Sequence, residues 1–210
     1  MPLLRRESFD DARWLVRAPG FKACLVDAAF GEEFLADCEA ALPALGYHRK
    51  NRPEYRVWAA HPGEGTPLLR SLRRVLGSRM FLSFLKKTFG GGRVSPPFAF
   101  EFLRFGEGDY LAPHSDATEG RRIQGVLYFN RDWRRRQGGL LRLTDGPRKK
   151  ALAAPVAPLF NRLVLFASDR GFLHAVTPLK SAGPRYSLSF SYRQAPARGL
   201  DAVSARASAR

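Results

Sequence analysis

The amino-acid sequence predicts an α+β fold in which N-terminal helices pack against a β core of jelly-roll type. Two observations predict it. Apolar residues recur at helical spacing before Gly90, and short β-like runs separated by turn residues fill the chain after Pro97. The length of 210 residues and the hydrophobic fraction of 45% suit a single domain that buries a substantial core. Many short strands after a helical first half favour a sandwich or barrel over a parallel sheet.

The first half of the chain predicts one strand, two helical segments and a polar connection. In chain order these are a polar lead-in (1–20), a strand (21–26), an amphipathic helix (30–42), a polar connection with some strand at 55–59 (46–66), and a helical segment (67–89). Gly77 predicts a break within the last segment, and the three glycines at 90–92 predict its end.

The second half predicts the β core, over about residues 98–192. Its candidate strands are 98–105, 123–130, 139–143, 163–166 and 186–192. Turn residues such as Asp145-Gly146-Pro147 separate them. The segment 195–210 lacks apolar periodicity, and we expect it to be a disordered tail.

The net charge of +16 and the pI near 10.8 raise anionic partners as candidates, but the positive residues are scattered. The densest cluster, 131–136, is interrupted by Asp132 and Trp133. We therefore assign most of the charge to solvated surface and do not expect nucleic acid as a partner.

The chain contains no pattern for a disulfide framework, a secretion signal or a membrane span. Cys24 and Cys38 are its two cysteines, which fits a reducing compartment. The first residues carry charge where a signal peptide needs an apolar stretch, and no apolar run approaches the ~20 residues that span a bilayer. We expect a cytoplasmic protein without a membrane partner.

A potential metal site is spread over the second half. His114 and Asp116 are two residues apart, so on a strand both side chains point to the same side. His174 lies in a β context far downstream, and Arg185 follows it. Two imidazoles and one carboxylate on one face of a metal are the ligands of non-haem Fe(II) oxygenases, although Zn(II) could occupy the same ligands. An arginine can hold a dicarboxylate through a two-pronged ion pair.

Five motifs in order resemble those of the Fe(II)/2-oxoglutarate-dependent dioxygenases, in particular the prolyl hydroxylase-like branch. They are HSD at 114–116, VLYFN at 126–130, QGGLLRL at 137–143, FLHAV at 172–176 and PRYSLSF at 184–190. The resemblance covers roughly residues 20–193, and it implies a double-stranded β-helix (jelly-roll) core within a single catalytic domain over 21–194.

The resemblance also implies roles for individual residues. His114, Asp116 and His174 would ligate Fe(II), and Arg185 would pair with the distal carboxylate of 2-oxoglutarate. Tyr128 and Ser187 would hydrogen-bond the same carboxylate, although Tyr128 could instead be a core tyrosine and Ser187 an ordinary serine of a strand. With O₂ as the second cosubstrate, 2-oxoglutarate would be converted to succinate and CO₂ while an unactivated C–H is hydroxylated. The presence of Asp116 favours hydroxylation over halogenation.

The sequence does not identify the substrate. A peptidyl proline, a free amino acid and another small molecule all stay open, as does the oligomeric state. Two other functions are alternatives: an AlkB-type nucleic-acid demethylase, and a non-catalytic basic binding module on a jelly-roll scaffold. AlkB-type enzymes carry a second arginine that closely follows the first. The ending PRYSLSF lacks it, which argues against the demethylase.

Overall fold

A computed structural model describes residues 3–18, 20–90, 92–115, 121–146, 150–168 and 172–195. The helices are α1 (Arg6–Asp10), α2 (Glu32–Ala41), α3 (Pro67–Leu76) and α4 (Arg79–Phe89). The strands are β1 (Arg13–Ala18), β2 (Phe21–Val26), β3 (His48–Arg52), β4 (Tyr55–Ala60), β5 (Phe98–Phe105), β6 (Tyr110–His114), β7 (Arg121–Tyr128), β8 (Leu141–Asp145), β9 (Lys150–Ala151), β10 (Leu163–Ser168), β11 (Phe172–Val176) and β12 (Arg185–Gln194). None of the described helices is long and apolar enough to cross a membrane.

Local side-chain chemistry defines the starts of α3 and α4. The Thr66 hydroxyl accepts a hydrogen bond from the Leu69 amide at the start of α3, and the Ser78 hydroxyl does the same for the Phe81 amide at the start of α4. Gly77 separates the helices, and a Cβ there would lie 2.7 Å from the Arg73 carbonyl oxygen. The break predicted at Gly77 is therefore confirmed, with a steric reason for glycine.

The strands form one strongly curled antiparallel sheet with two halves. One half runs in the order β1-β2-β10-β7-β12-β5, and the other continues as β4-β6-β11-β8-β9, with β3 paired to β4. All named strand pairs are antiparallel. The predicted α+β arrangement with a jelly-roll core is confirmed.

The core lies on both faces of the sheet. On β2, Cys24 and Val26 belong to the large cluster shared with the helices, whereas Ala23 and Leu25 belong to a second cluster inside the curled sheet. This alternation follows from the two-residue period of a strand. The inner face of the curled sheet therefore has its own apolar lining. Polar side chains of several strands can point into the space that this face encloses.

Several elements differ from the sequence prediction. The lead-in contains α1 and β1, and β1 extends the sheet by pairing with β2. The polar connection forms the hairpin of β3 and β4 where one strand was predicted. The predicted tail lies outside the described residues apart from Ala195. The division into a lead-in, a domain at 21–194 and a tail stays a prediction.

Candidate active site

A cavity of about 330 Å³ opens into the interior of the curled sheet. Its lining comes from both halves of the sheet and from the β3–β4 hairpin. The deep part is polar, and the apolar side chains that surround it are Val57, Leu103, Phe105, Leu111, Val126, Leu141 and Val176. Such a wall excludes water from the polar groups at its base.

Two of the predicted metal ligands meet in this cavity. The register of β6 with β11 places His114 directly opposite His174, and the two ring centroids lie 4.1 Å apart. The His114 Nδ1 lies 2.8 Å from the Ala112 carbonyl oxygen, which fits an Nδ1–H donor. Asp116, the third predicted ligand, lies outside the described residues.

Arg185 lies at the base of the same cavity and is only 1% exposed. Its guanidinium carbon lies 4.5 Å from the centre of the Phe105 ring and 5.0 Å from that of Tyr128. One terminal nitrogen donates to the Ser187 hydroxyl at 3.2 Å, whereas Nε has no hydrogen-bond partner among the described residues. Burial lowers the pKa of this guanidinium, and the neighbouring Tyr128 opposes the effect. Within the described chain Arg185 forms no ion pair, so the cavity holds a buried cation without an anion.

Tyr128 and Ser187 complete this polar base. They face each other in the register of β7 with β12, and both are buried. The Tyr128 hydroxyl has no hydrogen-bond partner of normal geometry among the described residues, although the Arg185 guanidinium is its neighbour. Burial raises the pKa of Tyr128, against the opposing influence of Arg185, so the hydroxyl stays protonated as a donor. Arg185, Tyr128 and Ser187 therefore converge on one position that suits an anion.

Gly138 and Gly139 make room for this arrangement. Both have positive φ, of 72° and 62°. A Cβ on Gly138 would lie 2.2 Å from the Pro178 carbonyl oxygen, and a Cβ on Gly139 would lie 2.8 Å from the Arg185 Cδ. The glycine pair of the QGGLLRL motif therefore has a physical function, since side chains there would displace Arg185 and the chain behind it.

The mouth of the cavity carries charged residues that the sequence did not single out. Lys50 forms an ion pair with Glu101, whose carboxylate also lies 3.3 Å from the His61 Nε2, and Glu54 lines the rim nearby. Lys50 and Glu54 both belong to the stretch 46–66 that the sequence predicted as a polar connection. The two-residue period of a strand places Glu101 on the same face of β5 as the cavity-lining Leu103 and Phe105.

Comparisons with known proteins identify the family. Residues 100–193 match the family model described as the 2OG-Fe(II) oxygenase superfamily. Human prolyl hydroxylase EGLN3 is 36% identical over 175 residues, which cover 78% of this chain and 68% of EGLN3. The chain belongs to the 2OG-Fe(II) oxygenase superfamily. Within this superfamily it is prolyl hydroxylase-like, and it is an enzyme of the 2-oxoglutarate-dependent dioxygenase class.

Solved structures of this superfamily share the fold. A Trichoplax adhaerens prolyl hydroxylase in complex with a hypoxia inducible factor peptide fragment superimposes with a TM-score of 0.66 at 21% identity, over 83% of this chain and 84% of that one. A Pseudomonas putida prolyl-4-hydroxylase gives a TM-score of 0.66 at 17% identity, over 91% of this chain and 99% of that one. These matches identify the curled sheet as the double-stranded β-helix expected from the motifs.

Membership of the superfamily implies dependence on Fe(II) and 2-oxoglutarate. The described residues fit the 2-oxoglutarate part of this requirement, since a buried guanidinium without an anion and an unpartnered buried phenol suit a carboxylate. For the metal they supply the facing pair His114 and His174. In the part of the chain that the structure describes, which excludes Asp116, no group of three or more His, Cys, Asp or Glu side chains could hold a metal.

Proposed function

We propose that this enzyme hydroxylates an unactivated C–H of a prolyl residue in a peptide, and that it couples this reaction to conversion of 2-oxoglutarate to succinate and CO₂. The observation that carries the cosubstrate assignment is the buried, unpaired Arg185, which lies with Tyr128 and Ser187 in the cavity that His114 and His174 also line. The similarity to EGLN3, a prolyl hydroxylase, supports the choice of prolyl substrate over a free amino acid or another small molecule.

The residues divide into two groups by role. His114, Asp116 and His174 would hold Fe(II), which supplies the oxidising chemistry together with 2-oxoglutarate and O₂. Arg185 would form a two-pronged ion pair with the distal carboxylate, and the Tyr128 and Ser187 hydroxyls would donate to the same group. The apolar wall would keep water away from these charged groups, which strengthens each interaction.

Anaerobic titration with Fe(II) and then 2-oxoglutarate tests the metal and cosubstrate assignments. We expect the weak visible charge-transfer band of the iron chelate in the wild-type protein. The band should be lost in His174→Ala and retained in His48→Ala, a matched control on an exposed imidazole that lies outside the cavity. A folded, iron-loaded protein without the band contradicts the cosubstrate assignment.

Binding of 2-oxoglutarate to Arg185→Ala tests the anion position directly. Loss of one partner of a buried, hydrogen-bonded charge pair costs about 2–5 kcal/mol, or roughly 30- to 4,000-fold in affinity. Arg193→Ala removes an exposed arginine of the same strand, outside the cavity, and should leave affinity unchanged.

Succinate release with proline-containing peptides, compared with free proline, then tests the substrate. Equal or greater coupling with free proline contradicts the peptide assignment.

A further inference from the structure

A second, larger cavity of about 750 Å³ lies away from the candidate active site. It is a groove between β1, α1 and α4, and it shares no lining residue with the active-site cavity. Its lining includes Arg6, Trp14, Arg17, Arg79, Phe84 and Lys87. We refer to it as the β1 groove.

The β1 groove combines an apolar floor with an exposed aromatic ring. Met80 and Phe84 of α4 and the buried Phe9 of α1 contribute to the floor. Trp14 of β1 is 41% exposed, which makes it one of two large apolar side chains exposed to that degree among the described residues. An exposed indole beside an apolar floor is typical of a surface that binds a partner.

Four basic residues surround this floor. Arg79 and Lys87 of α4 line the groove together with Phe84. Arg17 lies over the Trp14 ring at 5.3 Å, and Arg6 projects from α1. Within the described chain none of the four forms an ion pair, and Asp10 is the acidic residue of the lining. The groove therefore has a clear excess of unpaired positive charge.

The groove also follows a free edge of the sheet. β1 is the last strand of its half, and in the described structure it pairs with β2 on one side and with no strand on the other. A free edge presents a row of backbone donors and acceptors that matches an extended peptide. The register shift between Trp14 and Val16 interrupts β1 once, so pairing would extend over a few residues.

We propose that the β1 groove binds an acidic, extended segment of a partner protein that carries at least one large apolar side chain. Acidic side chains of this segment would pair with the four cations, and its apolar side chain would contact Trp14, Met80 and Phe84. A second copy of this chain does not fit, because its net charge is also +16. The chain's own segment 196–210 does not fit either, because Arg198, Arg206 and Arg210 outnumber Asp201. The free strand edge favours a peptide over a nucleic acid, whose backbone has no matching donors.

Fluorescence anisotropy with a labelled ten-residue peptide tests the proposal. The probe alternates Asp or Glu with Leu and Trp, and a second peptide keeps the acids but replaces Leu and Trp by Ser. We expect the first peptide to bind at least tenfold more tightly than the second. Charge reversal in the double variant Arg17→Glu/Lys87→Glu should weaken binding of the first peptide at least tenfold, whereas Arg74→Glu, an exposed helix residue outside the groove, should change it less than twofold.

The apolar contact has its own matched pair of variants. Trp14→Ser should weaken binding at least fivefold, and Leu3→Ser, which removes the other 41% exposed side chain, should have no effect. Equal effects of Arg74→Glu and the double variant would show general charge attraction and overturn the proposal. Tighter binding of single-stranded DNA of ten thymidines, lost in the same groove variants, would assign the groove to nucleic acid and also overturn it.

Discussion

Arg185 is the residue at which stability and function conflict most directly. Its guanidinium is buried between Phe105 and Tyr128 without an anion among the described residues. Replacing a buried ion pair by apolar side chains of similar volume is often neutral or stabilising, by up to about 4 kcal/mol, and an unpaired buried ion lacks even a partner charge to offset its desolvation. An anionic ligand bound in the cavity would compensate for the burial of this charge.

Arg185→Met should consequently stabilise the ligand-free protein while it abolishes binding of 2-oxoglutarate. We expect the melting temperature to rise by about 2–4 °C, because 1 kcal/mol corresponds to a shift of that size in a chain of this length. Thermal denaturation without and with 2-oxoglutarate measures both effects. Arg193→Met is the control, since it lies on the same strand but is exposed. A marked destabilisation by Arg185→Met would show that Arg185 has an internal counter-charge.

Gly139 acts on the same site through Arg185. A methyl group at this position would lie 2.8 Å from the Arg185 Cδ, and alanine is also disfavoured at a φ of 62°. Gly139→Ala should raise the KM for 2-oxoglutarate about tenfold or more, with a smaller effect on the KM for the substrate peptide. Steady-state kinetics below the melting temperature of the variant provide the measurement. Gly46→Ala is the control because its Cβ would enter open space, and an unchanged KM in Gly139→Ala would contradict the steric argument.

At the scale of elements, Asp27 connects three strands at one end of the sheet. It follows β2, and it forms ion pairs with Arg13 of β1 at 2.7 Å and with Arg162, just before β10, at 2.6 Å. Burial alone would raise the pKa of Asp27, but the hydrogen bonds and charges of Arg162 and Arg13 outweigh it and lower the pKa below the ordinary value. The carboxylate therefore stabilises the folded state at neutral pH.

Asp27→Asn should destabilise the protein at pH 7 and have no effect in acid. Because the pKa of Asp27 is depressed in the folded state, its contribution to the free energy of unfolding is fully present above the unfolded pKa of about 3.9. This contribution is lost as the pH falls through the folded pKa. Asp27 is 44% exposed, so we expect the substitution to lower the free energy of unfolding by only about 0.5–1 kcal/mol at pH 7. Denaturant titrations at several pH values measure it, with the exposed Asp37→Asn as control. An effect of Asp27→Asn that is as large at pH 3 as at pH 7 would exclude the ion pairs as its cause.

Elements with a strong local signal could be predicted from the sequence. The strand at 21–26 and the strand at 98–105 have the predicted bounds, and the helical segment divides at Gly77 as expected. β1 and β3 were missed because they are mainly exposed and rich in arginine, so neither shows apolar alternation. Their pairing with β2 and β4 supplies the stability that their own side chains do not.

At the scale of the whole molecule, the sequence order of the motifs predicted which residues would meet, and the sheet explains how. His114 and His174 are far apart in the chain, but the pairing of β6 with β11 makes them direct neighbours. The charged mouth at Lys50 and Glu101 could not be predicted in the same way. It depends on the placement of the β3–β4 hairpin beside β5, which is a long-range contact without a local signal.

The net charge is also a property of the whole molecule, with 35 basic and 19 acidic residues. Ion pairs match one acidic with one basic residue and leave the excess of +16 unchanged, so repulsion between the remaining cations opposes folding. Salt at about 0.1 M shortens the range of this repulsion to about 10 Å, compared with about 30 Å at 0.01 M. We therefore expect the melting temperature to rise between these two NaCl concentrations. Sorbitol at matched osmolality is the uncharged control. A fall in melting temperature with NaCl would show that the attractive ion pairs, of which the Asp27 cluster is an example, outweigh the repulsion of the +16 charge.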